Sequence, residues 1–220
     1  MKGKITRLPS SDGKDLATRL TPVTHRMREV TNHLAEDGIW DATLTEEVRQ
    51  LFDSLAEEWT ATRDHPQRNL PILDALNRGK VKGQIALELG AGTCISARDL
   101  ISKFDSFIAM DLSLAMLNNA IENAPPLVCT DGSALPVANG AIDVLILQNM
   151  FLFPKEVERC LSTEGYLVWV NSRGPETPIH LPVEKVVHSL ESAAGHGWDA
   201  VASTSGEATW AVIQRSKVID

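Results

Sequence analysis

The stretch Ala86-Leu87-Glu88-Leu89-Gly90-Ala91-Gly92-Thr93-Cys94 decides how this chain is read. An apolar run of strand length carries an acid near its end and gives way to two glycines spaced one apart. A helix-like segment follows. Nineteen residues after Gly92, a second apolar run, Phe107-Ile108-Ala109-Met110, closes on Asp111. Glycines at a strand–helix turn let the backbone approach a ligand closely. An acid ending the next strand can accept hydrogen bonds from ribose hydroxyls. The layout is that of a site for a nucleotide-type ligand.

The spacing discriminates between ligands. A dinucleotide fingerprint, G-x-G-x-x-G, requires glycine at position 95, where this chain has Ile95. Glu88 beside the turn would repel a pyrophosphate and attract an ammonium. Glu88 to Cys94 resembles motif I of the class I S-adenosylmethionine methyltransferases, E/D-x-G-x-G-x-G, with Cys94 in place of the last glycine. Asp111-Leu112-Ser113-Leu114-Ala115-Met116-Leu117 is similar to the family's second motif, with Ser113 placed to cap the following helix. Cys129-Thr130-Asp131-Gly132-Ser133 resembles the third motif, and Ile142 to Asn149 the fourth strand. Leu161 to Val170 resembles the turn and fifth strand, with only Gly165 of the family's glycine pair. Five motifs in family order cover roughly residues 84–171.

The resemblance implies an α/β fold: a Rossmann-like sandwich with a mostly parallel seven-stranded sheet, a C-terminal antiparallel hairpin and an N-terminal helical extension. It implies S-adenosylmethionine as cofactor and S-adenosylhomocysteine as product. The residues matching its cofactor contacts are Glu88, Gly90, Ala91, Gly92, Asp111, Leu112, Asp131, Gly132 and Gln148. Trp59 joins them because Phe52 to Trp59 resembles the family's pre-core segment, whose aromatic often covers the cofactor; as a core anchor it is equally well explained. Asn149, at the carboxyl end of the fourth strand, Phe151 and His180 are the candidates for meeting substrate. No catalytic base is identified. The family's frequent histidine pair after strand 4 is replaced by Met150-Phe151-Leu152-Phe153, which suggests an apolar acceptor pocket.

Composition narrows the function classes. With 220 residues, 43% of them hydrophobic, the chain can bury one good core. No apolar run approaches the ~18 residues needed to span a bilayer, and the polar first twenty residues lack a signal-peptide core. Cys94, Cys129 and Cys160 show no C-x-x-C spacing and read as reduced thiols, so the expected compartment is the cytoplasm. The six histidines include no metal-ligand spacing, and no metal is expected. Residues 1–83 carry 13 basic and 13 acidic side chains, whereas residues 84–220 carry 8 and 16, so the whole net charge of −8 lies in the second segment. Nucleic acid is disfavoured as a substrate, because a basic surface is needed to meet phosphates. A small-molecule acceptor is expected, and a homodimer stays open.

Two segments follow from the pattern: residues 1–83 as a helical extension or lid, and residues 84–220 as the cofactor-binding core. Residues 1–20 lack periodicity and suggest partial disorder. Residues 22–36 are a helix candidate. Thr43-Leu44-Thr45-Glu46 has capping-box spacing and is expected to open an amphipathic helix through Trp59. A further helix over 70–78 should stop at Gly79, an end residue capable of the left-handed conformation. In the core, strands are expected at 85–89, 107–111, 127–130, 142–147 and 166–171, with helices at 93–103, 113–123, 154–161 and 182–192. Trp198–Ala202 and Ala208–Gln214 should form the closing hairpin. The functional expectation is methyl transfer to a small, apolar or aromatic metabolite. The rival is a protein that binds the same cofactor without transferring, as a sensor or partner subunit; a nicotinamide-dependent reductase is disfavoured by Ile95 and Glu88.

Overall fold

Successive side chains of a strand point to opposite faces, so a strand buried on both sides must be apolar throughout. The middle of this chain supplies such strands. The computed structural model describes residues 2–36 and 38–217. The strands are β1 (Ile5–Arg7), β2 (Ile85–Leu89), β3 (Ser106–Asp111), β4 (Leu127–Cys129), β5 (Ile142–Gln148), β6 (Leu161–Asn171), β7 (Trp198–Ser205) and β8 (Ala208–Arg215). The helices are α1 (Arg26–Ala35), α2 (Ala42–Arg63), α3 (Leu70–Arg78), α4 (Ala97–Leu100), α5 (Leu114–Asn118), α6 (Pro154–Cys160) and α7 (Val183–Ala194).

One sheet runs in the order β1-β7-β8-β6-β5-β2-β3-β4. β2 pairs in parallel with β3 on one side and β5 on the other. β8 is antiparallel to both β6 and β7, which makes the expected hairpin. Leu87, Leu89, Leu145 and Leu147 pack on one face with Val157 of α6 and Val186 and Leu190 of α7. Ala86, Val144 and Ile146 pack on the other with Ile72 and Ala75 of α3 and Ala97 and Leu100 of α4. By the period of two, Glu88 belongs to the α3/α4 face with Ala86. Met27, Val30, Leu34, Val48, Phe151 and Ile179 form a third cluster, in which α1 and α2 meet the loops beyond β5 and β6. No helix among the described residues is long and apolar enough to cross a membrane.

The sheet has one strand more than the seven expected. Residues 5–7, placed in a stretch expected to be partly disordered, form β1 parallel to β7. Backbone bonds Ala200 N–H to Lys4 O (2.8 Å) and Leu8 N–H to Ala202 O (2.8 Å) hold it there. A 3-10 turn at Leu16–Arg19 follows. α2 opens at Asp41, not at Thr43: the Asp41 carboxylate accepts from Leu44 N–H at 2.9 Å. Ser113 does cap α5, its hydroxyl accepting from Met116 N–H at 3.0 Å. The two helices flanking β3 are shorter than expected, four and five residues in α4 and α5. Left-handed Cys94 (φ 60°) and Asn123 (φ 62°) lie inside the spans first expected to be helical. Gly79 is right-handed, with φ −74°, and the left-handed residue is its neighbour Lys80, with φ 55°.

Candidate cofactor site

The sheet order reverses between β2 and β5, and ligands of open α/β sheets bind beyond the carboxyl ends of the strands at such a point. The turn after β2 lies there. Gly90 (φ 74°) and Gly92 (φ 57°) take left-handed conformations that other residues resist. A β-carbon at Gly90 would lie 2.5 Å from Met150 Sδ, so the position has no room for a side chain. Cys94, where the family pattern has its last glycine, adopts the same left-handed backbone with φ 60°. Its thiol is fully buried, and burial pushes its pKa up to about 12.

Asp111 fastens this turn. Gly92 N–H donates to Asp111 Oδ2 and Ser113 N–H to Asp111 Oδ1, both at 2.8 Å. Gly90 and Ala91 donate to Met110 O at 2.8 and 3.1 Å, so the turn is stitched to the end of β3. Burial raises the Asp111 carboxyl pKa, against the opposing effect of these N–H donors. A carboxylate has about four acceptor sites, so capacity remains for a ligand hydroxyl. Leu112, half-buried beside it, packs toward the α1/α2 cluster.

Glu88 is 2% exposed. The Ser96 hydroxyl donates to its Oε1, and its Oε2 is buried without a partner. Desolvation pushes its pKa up to about 7. Gln148, at the end of the adjacent strand β5, is also buried, and its Nε2 has no partner. One orphaned acceptor and one orphaned donor thus stand at the ends of neighbouring strands. Each is costly unless a ligand or water completes it.

The remaining cofactor candidates are in contact with the N-terminal segment. Trp59 covers the glycine turn: a β-carbon at Gly92 would lie 3.3 Å from its Nε1. Phe52 sits edge-on to Trp59 at 5.8 Å, and the Arg63 guanidinium lies 3.8 Å from the ring centroid on α2. Asp131 accepts from Ser133 N–H at 2.8 Å and from the indole N–H of Trp40. At Gly132 a β-carbon would meet the Phe153 ring at 2.8 Å, so the backbone there is approached by an aromatic side chain.

The substrate candidates separate. Phe151 is buried in the α1/α2 cluster, 5.9 Å from the Trp40 ring. Asn149 is taken up in a local ring: it accepts from Ser172 N–H at 2.8 Å and donates to the Ser172 hydroxyl at 2.9 Å. His180 is buried, its Nδ1 has no partner, and burial with the nearby Arg28 charge pulls its pKa down to about 4. Arg28 itself donates from Nε to Pro178 O at 3.0 Å, tying α1 to the loop that carries His180. Among the described residues no group of three or more His, Cys, Asp or Glu could hold a metal ion.

Sequence reasoning did not single out Trp40, Asp53, Thr60 or Arg68. Asp53 Oδ1 accepts from the Ser113 hydroxyl at 2.5 Å, and the Thr60 and Thr93 hydroxyls lie 2.7 Å apart, so α2 docks directly on the two core turns. For Asp53 a signal existed, since it lies inside Phe52 to Trp59. For Trp40 and Arg68 no local pattern marks a role.

The residues present fit an ammonium-bearing nucleoside. A buried carboxylate with a free oxygen suits the ammonium, a side-chain-free turn suits close approach, and an acid at the end of β3 suits ribose. Residues 87–168 match the family model described as a methyltransferase domain. A malonyl-[acyl-carrier protein] O-methyltransferase of Halorhodospira halophila is 31% identical over 149 residues, 59% of this chain and 49% of the relative. A demethylmenaquinone methyltransferase of Corynebacterium urealyticum is 34% identical over 113 residues, 46% of each chain. The chain thus spans about half the length of the curated relatives it matches. A solved SAM-dependent methyltransferase from Aquifex aeolicus shares the fold with a TM-score of 0.58 at 17% identity, covering 74% of this chain and 97% of that one. Residues 87–168 thus match a methyltransferase domain, and the chain has the fold of a solved S-adenosylmethionine-dependent methyltransferase.

Proposed function

We propose that this protein transfers the methyl group of S-adenosylmethionine to a small, apolar or aromatic acceptor. The observation that carries the reading is the half-satisfied Glu88 carboxylate, buried beside the glycine turn that Asp111 fastens. When bound, the cofactor supplies a methyl already made electrophilic by its sulfonium. The chain's own task is alignment and exclusion of water. Glu88 and Gln148 would hold the amino-acid end, Asp111 the ribose, and Asp131 with Gly132 the base. Apolar side chains of α1, α2 and Phe151 form a cluster at the same sheet edge, which supports an apolar acceptor. His180, neutral at pH 7 with a free Nδ1, is the side chain best suited to accept a proton if the acceptor must lose one.

In this reading residues 1–83 act as a lid on the core of residues 84–220, although β1 also makes them part of the sheet. The acidic balance of residues 84–220 supports a small molecule over nucleic acid, and three unpaired thiols support a reducing, cytoplasmic setting.

Calorimetry with S-adenosylhomocysteine, and with NADH as control, tests the cofactor. Radiolabelled methyl transfer into metabolite pools tests the reaction. Stabilisation by NADH alone would sink the cofactor reading, and tight binding without transfer to any pool would leave a sensor or partner subunit.

A further inference from the structure

The loop that carries His180 runs from Ser172 to Pro182, between β6 and α7. Apart from one 3-10 turn, Gly174–Glu176, it has no regular structure. Pro175 and Pro178 lack an N–H, and Thr177, Ile179 and His180 are buried. Buried carbonyls on such a loop need donors that helix or strand pairing does not supply. Side chains supply them. Arg28, half-buried on α1, donates from Nε to Pro178 O at 3.0 Å, and from Nη2 to Pro175 O and Thr177 O at 2.5 Å each. From β6, Asn171 Nδ2 donates to Ile179 O at 2.8 Å and the Trp169 indole N–H to Leu181 O at 3.3 Å.

The main chain on both sides of His180 is thus held by side chains of α1 and β6, and the imidazole is not. Its Nδ1 is buried without a partner among the described residues. A fixed backbone under an unbonded ring sets where the ring sits and leaves its polar atoms for a ligand. A guanidinium suits the holding task, because its donors lie in one rigid fork and one side chain reaches three carbonyls. The N-terminal segment grips the start of the same loop a second time. Ala17 is buried against Gly174, where a β-carbon would lie 3.4 Å from Ala17 Cβ and 2.9 Å from Glu207 O. Ala17 N–H in turn donates to Gly206 O at 3.1 Å, which ties it to the β7–β8 turn.

We propose that Arg28 is a positioning residue for the transfer reaction: it sets the loop so that the His180 imidazole stands where the acceptor gives up its proton. This rests on the reading of His180 as the proton-accepting group and deepens it. In that step the acceptor's bond to hydrogen breaks, its electron pair stays on the acceptor atom, and the lone pair of a neutral His180 ring nitrogen takes the proton. Residues 1–83 then have a duty in the chemistry besides covering the site.

The test is a double-mutant cycle on the full chain. Transfer of radiolabel from S-adenosylmethionine into the metabolite pool that the wild type labels is compared for Arg28→Gln, His180→Gln and the double variant. Arg28→Gln should slow transfer by about ten- to a hundredfold, the effect of a small misplacement of a reacting group, with S-adenosylhomocysteine affinity within about twofold of wild type. The double variant should lose no more than His180→Gln alone, because Arg28 acts through that ring. Arg28→Lys should recover part of the rate, and it carries the same cycle if the glutamine variant does not fold. A second readout needs no acceptor. In protein labelled with 15N at histidine, the His180 ring signals should move in Arg28→Gln while those of His65 and His196, outside the loop, stay in place. Losses that add in the double variant overturn the proposal, as do wild-type transfer in Arg28→Gln, an equal loss of S-adenosylhomocysteine affinity, or unmoved His180 signals. If the wild type labels no pool, the transfer reading itself has failed and this role falls with it, a result distinct from any behaviour of the variants.

Discussion

The indole N–H of Trp40 donates to both carboxylate oxygens of Asp131, at 3.0 Å each. Its ring rests against Phe153 at 5.4 Å in an edge-on arrangement, beside the backbone of Gly132. A planar bicyclic ring with an N–H donor is thus seated on the acid that the family resemblance assigns to the base of the cofactor. In the proposed binding mode Trp40 and that base would compete for one acceptor.

Trp40→Phe should therefore tighten S-adenosylhomocysteine binding by roughly three- to tenfold. The substitution keeps ring packing on Phe151 and Phe153 and removes only a hydrogen bond to a charged group, about 1.5–3 kcal/mol at most. Calorimetry on the variant reads it directly. Weaker binding would show instead that Trp40 packs over the bound ligand.

Two buried titrating groups give opposed pH slopes. Glu88 is held near pKa 7, above its ordinary 4.5, so the folded state keeps a proton that the unfolded chain has released. Its contribution is full below pH 4.5 and is lost as pH rises through 7. His180 is held near 4, below its ordinary 6.5, so its contribution is full above 6.5 and is lost as pH falls through 4. Each effect is on the order of 3 kcal/mol. Over about pH 4.5 to 6.5 they offset each other. Urea unfolding should show Glu88→Gln losing stability on acidification more steeply than wild type, and His180→Gln less steeply. Unchanged slopes in both would mean that the two groups titrate in the folded protein as they do in water.

Asp111 has a structural duty besides its expected ligand contact. Asp111→Ala leaves the buried Gly92 and Ser113 N–H groups without acceptors, a loss of roughly 2–4 kcal/mol in stability. Asp111→Asn, which retains one acceptor oxygen, should lose about half as much. Both should weaken S-adenosylhomocysteine binding. Thermal denaturation beside calorimetry separates the two duties, and an Ala variant as stable as wild type would contradict the hydrogen-bond geometry.

The core was legible because its signals are local. Ile85–Leu89 is an apolar run bounded by Gln84 and Gly90, and Ser113 precedes its helix with a capping hydroxyl. β1 was not legible, because three residues with no periodicity become a strand only by pairing with an edge nearly two hundred positions away. The same applies to the site. Glycines and strand-end acids announce themselves, whereas Trp40 on Asp131 and Thr60 on Thr93 are meetings that only the fold arranges. The shortened α4 has a local cause that was misread: Thr93 to Ser96 look helical, but Cys94 breaks the helix with a left-handed backbone.

That backbone makes Cys94 a test of the glycine turn. At φ 60° a residue with a β-carbon is strained by about 1–2 kcal/mol, and glycine is not. Against this, Cys94→Gly removes a fully buried thiol that packs with Ala91 and Ala97 and gives the unfolded chain more freedom. The opposing effects are of similar size, so Cys94→Gly should change stability by less than about 1 kcal/mol and leave S-adenosylhomocysteine binding intact. Cys94→Val adds about a methyl group to a fully buried site and places a β-branched side chain in the left-handed region, where it is a genuine outlier. It should lose at least about 2 kcal/mol in urea unfolding and weaken ligand binding with it, since the turn cannot keep its shape. If valine were tolerated as well as glycine, the turn would not hold the left-handed geometry at Cys94, and the alignment of this position with the family's last glycine would fail.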